Sequence, residues 1–252
     1  MTTEPYKRPP IIEAVIGINF KAPVPNEVLA DAKDRSKNDY PQVNTLENFQ
    51  IEVQLQGARG SSNNTALNKT GQRGFKLNSP DVTEILILQP TVVTVAQLPP
   101  YPGWEPFFKR FQRDWRAWKR AAGYREISRI GVRYINRIDI PLGADDGVLE
   151  EGHYLNIFPN VPPSLSPVDG YAVQTRSRLP AINGIVTINS GIVTSPILGH
   201  MSILLDQDVA CDQDPPQNDE ALFDLLARIR DEKNKVFEAC LNQGAREIFN
   251  SP

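Results

Sequence analysis

Histidine and cysteine are almost missing from this chain of 252 residues, and that scarcity excludes more than it first suggests. His153 and His200 are the only histidines, and neither has a companion at ligand spacing, so a zinc centre or a histidine-based triad has little to be built from. Cys211 and Cys240 are the only cysteines and form no CxxC pair, which is the pattern of a reduced cytosolic protein. No GxxxxGK[ST] loop is present and no GxGxxG follows a strand-like run, while GARG at 57–60 is too short to cradle a phosphate. No apolar run approaches the ~18 residues that a membrane span requires. The opening MTTEPYKRPP lacks the apolar core of a signal peptide. The expectation is a cytoplasmic protein without membrane contact, cofactor, metal centre or assigned catalytic residue. Catalysis has no positive support, and the question of an enzyme leans towards no.

What is present is an ordinary globular composition, 40% hydrophobic and 23% charged, with a formal net charge of -3. IIEAVIGINF (11–20) alternates apolar and other residues as a strand, and Pro9 and Pro10 hold its approach extended. A helix is expected from Asn26, read as its N-cap, to about Asn38. FQIEVQLQ (49–56) reads as a strand, and 57–74 then breaks all periodicity as a polar loop, either disordered or able to close over an anion. FKLNS, EILILQP and TVVTVAQL read as three more strands. WEPFFKRFQRDWRAWKRAAG (104–123) is the clearest helix, with Phe107, Phe111, Trp115, Trp118 and Ala122 on one face. Trp115 and Trp118 could serve as stacking platforms for bases, but their stripe must face the sheet, which favours core packing. RIGVRYINRI follows, then a Pro-, Gly- and Asp-rich crossover over 141–169, three strands and a long helix over 219–242. The order predicts an α+β protein of two similar halves, 1–124 and 125–252. Each half would be a curved antiparallel sheet packed on a long amphipathic helix, with one continuous domain as the alternative.

Charge is distributed in blocks. Between Glu105 and Ile140 ten cations face four acids, a net +6. Lys109, Arg113, Arg116 and Arg120 fall at helical spacing opposite the aromatic stripe, and Arg129, Arg133 and Arg137 share one side of a strand. Tyr134 and Asn136 sit on the opposite side, as residues that orient the strand. Three cations in a row need carboxylates, phosphates or water opposite them. From Met201 to Ala227 there are seven acids and no Lys or Arg. Asp206 and Asp208 share a strand face, where a Mg²⁺ or Ca²⁺ pair is conceivable and a metal-dependent hydrolase would be a third, weaker reading, though a solvated acidic segment explains most of the block. The acidic block could also neutralise the basic one within the chain or between two copies.

KRPPIIEAVIGINF and RIGVRYINRIDI resemble the motifs of a sporadically distributed, uncharacterised family of bacterial proteins of about this length. Its members open with a basic-Pro-Pro-Ile/Val-Glu-Ala-Val stretch and carry an Arg-Tyr-Ile-Asn-Arg strand. The matching positions here are Pro9, Pro10, Glu13, Arg133, Tyr134, Asn136 and Arg137. The resemblance implies no activity, and the family's patchy distribution is of the kind that mobile or defence-linked genes show. Two readings follow. One is a non-catalytic accessory subunit of a bacterial defence or regulatory assembly, working through charge-complementary protein contacts or self-association. The other is a module that holds nucleic acid or a phosphate ligand on the arginine face.

Overall fold

The structure, a computed structural model, describes residues 6–52, 66–142, 151–165, 168 and 170–251. Nine strands lie in it: β1 (Ile11–Phe20), β2 (Gln42–Glu52), β3 (Ala66–Asn78), β4 (Glu84–Gln89), β5 (Val92–Gln97), β6 (Ile127–Pro141), β7 (Ala172–Leu179), β8 (Gly184–Thr194) and β9 (His200–Cys211). The helices are α1 (Asn26–Ser36), α2 (Trp104–Ala122), the short α3 (Glu151–Tyr154), α4 (Asp219–Cys240) and α5 (Gln243–Asn250).

All nine strands form one antiparallel sheet in the order β2-β3-β4-β5-β1-β6-β9-β8-β7. This overturns the expected pair of sheets each gripping its own helix. The reason lies in β1, whose two edges are both used: it pairs with β5 on one side and with β6 on the other. Their apolar faces match in register, with Ile16 opposite Val132 and Ile18 opposite Ile130. The helices do not divide the core either. Phe223 of α4 meets Phe108 and Phe111 of α2 edge to face, so the two long helices complete one apolar layer with β1 and β6 beneath them.

The helices all lie on one side of the sheet. Leu29 and Ala32 of α1 join Leu77, Leu86 and Leu88, and α5 closes the far end through Ala245 and Phe249 against Ile138, Ile140 and Ile203. Trp115 and Trp118 are 4% and 1% exposed and stack with Phe20, so they are core residues and not open platforms. Gly123 ends α2 with a positive φ of 67°, its N–H donating to the Lys119 carbonyl. Asn26 is the first residue of α1 and not its cap, a place taken by Pro25. Asn218 does cap α4, accepting from the Ala221 N–H. Of the expected loop 57–74, residues 66–74 are part of β3 and the remainder lies outside the described residues, as does 53–56 of the expected strand. Residues 143–150, 166, 167 and 169 of the expected crossover also lie outside them. No helix among the described residues is long and apolar enough to cross a membrane.

Candidate functional site

The side of the sheet away from the helices answers the question of the arginines. Arg133 stands directly opposite Asp208 across the β6–β9 pairing, with Asp206 two residues along. Arg133 grips Asp206 through both Nε and Nη2 at 2.7 Å, and this pairing raises its already high pKa. Arg129 reaches Asp208 at 2.6 Å, its guanidinium lying across Gly131, where a Cβ would sit 2.6 Å from a guanidinium nitrogen. Arg137 takes Asp139 on its own strand through two bonds of 2.9 and 3.1 Å. Asn189 and Ser202 complete the shell by donating to Asp206 and Asp139. Burial pushes the Asp139 carboxyl up, but Arg137 and Ser202 outweigh it and hold the carboxyl below its usual range. The three strand arginines therefore have carboxylates of the same chain as partners. Asp206 and Asp208, considered as a divalent-cation pair, are engaged by guanidinium groups, and no cluster of three metal-ligating side chains occurs among the described residues.

The helix cations divide. Arg113 is bound to Asp39 and Asp114. Lys109, Arg116 and Arg120 are exposed and make no ion pair among the described residues. Arg110, counted only as part of the basic block, is 6% exposed: it donates to the Tyr40 hydroxyl, the Ala96 carbonyl and Gln97 Oε1. Asp114 beside it, 3% exposed, accepts from Tyr40 at 2.6 Å and Arg113 at 2.9 Å. Burial outweighs both donors and raises the Asp114 pKa.

The residues read as orienting the strand have a different place. Tyr134 and Asn136 point to the helix side of β6, where they line a cleft of about 440 Å³ together with Pro9, Pro10, Tyr101, Trp104, Arg230, Lys233, Phe237 and Glu238. Four of the seven motif positions thus meet at one cavity. Asn136 donates to the Leu205 carbonyl, and the Tyr134 hydroxyl is hydrogen-bonded to that of Tyr101. Lys233 is 7% exposed, with its ammonium 3.8 Å from the centre of the Tyr134 ring. Burial, aided by Arg230, lowers its pKa from 10.5 to about 7.

A second cleft of about 600 Å³ lies on the far side of Pro9 and Pro10 and brings both histidines together with Arg137, Asp139 and Glu247. Their separation of 47 positions in the chain conceals this meeting. The Pro-Pro segment is the ridge between the two clefts, and the Pro10 carbonyl accepts from the Arg137 N–H at 2.9 Å. No protein-family model matches this chain, and no curated protein matches it either.

Proposed function

We propose that the protein is a non-catalytic interaction component that works through charge-complementary protein contacts on the uncovered face of its sheet. Its first partner would be a second copy of the chain. The observation that supports this is the pairing of the strand arginines. A face whose cations are already balanced by aspartates is a poor magnet for a polyanion, yet it carries an ordered column of arginines on β6 beside aspartates on β9. A two-fold axis running along the strands between those columns would set each arginine column over the partner's aspartates. As such a component it would serve as an accessory subunit of a bacterial defence or regulatory assembly.

The test is light scattering across a concentration series. Thr187, partly exposed and level with Asp208, is replaced by tyrosine so that bulk enters the face without a new charge beside the Arg129–Asp208 pair. We expect twice the mass of one chain for the wild type and a single-chain mass for Thr187→Tyr, with unchanged melting. A wild type that stays monomeric, or a variant that stays dimeric, overturns the reading.

One observation favours a second reading. Lys109, Arg116 and Arg120 form an exposed stripe on α2 that makes no ion pair among the described residues and is suited to a nucleic-acid backbone. Three phosphate contacts predict that affinity falls roughly forty-fold between about 50 and 200 mM salt. Fluorescence anisotropy with labelled DNA and RNA measures this, and the triple change to glutamine should abolish it. Salt-independent binding, or none at micromolar protein, removes the second reading.

A further inference from the structure

Lys233 has no hydrogen bond and no ion pair with any described residue, only the rings of Tyr134 at 3.8 Å and Phe237 at 6.0 Å. An ammonium removed from water without a counter-ion is unfavourable, and sequences keep such groups where a partner arrives later. The groups facing it come from four elements: Arg230 and Glu238 on α4, Tyr134 on β6, Tyr101 ahead of α2, and Tyr6 from the amino-terminal segment. Glu238 is the one carboxylate among them, and it is occupied, accepting from Tyr6 at 2.9 and 3.0 Å and from Arg246 at 2.9 Å. Among the described residues, Arg230 has only the exposed Asp231 as ion-pair partner. Among the described residues the cleft therefore presents cationic charge with no free anion, between aromatic walls, and its volume lies in the range that small ligands occupy.

We propose that this cleft binds a small ligand composed of a flat aromatic ring and an anionic group, phosphate or carboxylate. Lys233 and Arg230 hold the anion, and Tyr101, Trp104 and Phe237 flank the ring. The site is on the helix side of the sheet and is independent of the arginine ladder, so either can fail without the other.

Titration calorimetry on the full chain with four probes tests this: phenyl phosphate, benzoate, inorganic phosphate and phenol. At least one ring-bearing anion should bind about ten-fold or more tightly than both inorganic phosphate and phenol, and the better of the two identifies the anion class. Lys233→Met should lose that gain. Arg230→Gln, a half-exposed change that leaves the core untouched, should weaken binding by several-fold. Benzoate keeps its charge above pH 6, so its affinity reports the lysine: it should fall about ten-fold per pH unit above pH 7 in the wild type and in Arg230→Gln, but not in Lys233→Met. The proposal is overturned if neither ring-bearing anion binds at about 10 mM, if inorganic phosphate or phenol binds as well as both, or if Lys233→Met binds unchanged.

Discussion

Replacing Lys233 by methionine is expected to stabilise the protein at pH 7, against the usual direction for a buried substitution. The wild-type lysine has a pKa of about 7 when folded and its ordinary value of 10.5 when unfolded. Between those values the unfolded chain holds more protons, so the contribution of this site to stability rises with pH across that window. Below pH 7 the full penalty of burying the charge is present, and it is relieved as pH approaches 10.5. The linkage ceiling is roughly 5 kcal/mol. Methionine fills a similar volume along the same path and loses only the cation–π contact, so a net gain of roughly 2–4 kcal/mol at pH 7 is expected. Denaturant melts of both proteins at pH 7 and pH 9.5 provide the check: the gap should narrow at the higher pH. A variant less stable than wild type at both values would mean that the ammonium has a partner in solution.

Asp114→Ala should produce the largest loss of stability, roughly 3–5 kcal/mol. Asp114 is buried beside Arg113 and Tyr40 and within the electrostatic reach of Arg110, and its removal leaves the Tyr40 hydroxyl without its acceptor and Arg110 with only Glu84, 3.7 Å away, as a neighbouring carboxylate among the described residues. The group joins Tyr40, in the turn that follows α1, to α2, and through the Ala96 carbonyl to β5. Breaking it therefore loosens two helices from the sheet at once. Arg113→Ala, on the solvent side of the same carboxylate with a side chain 41% exposed, should cost less than about 1 kcal/mol. Equal losses in the two variants, measured by chemical denaturation, would show that Asp114 is not the centre of the group.

The elements were legible where periodicity was strong. β1 begins and ends where IIEAVIGINF alternates, and α2 spans nearly all of the aromatic helix. The pairing of β1 with β6 was not legible, because strand partners more than 100 positions apart leave no local trace. That one pairing separates a single sheet from two. For the site, the need of the strand arginines for opposite charge was legible, and the acidic segment was among its suggested sources; the register of β6 on β9 brings that segment to Arg129 and Arg133, whereas Arg137 takes Asp139 of its own strand. Lys233 was missed although a signal existed. The apolar positions of α4 run Leu222, Leu225, Leu226, Ile229, Val236, Phe237 and Cys240, and the gap after Ile229 is filled, at helical spacing, by a lysine on the buried stripe. Arg110 and Asp114 follow the same logic on α2, each next to a core aromatic. Charged residues that interrupt an apolar stripe mark the buried groups, and a count of charge per segment averages them away.

The central position of β1 also governs the order in which the molecule can be built. During synthesis β1 gains its first neighbour when β5 emerges, but its other edge stays open until β6 is made, after the whole of α2. For that interval the nascent chain presents one open edge of the ten-residue β1, with the amides and carbonyls of alternate residues unpaired, in a strand that is mostly apolar. A chain halted near residue 124 should therefore be prone to pair with its own kind along β1, and completion of β6 acts as the step that removes this template.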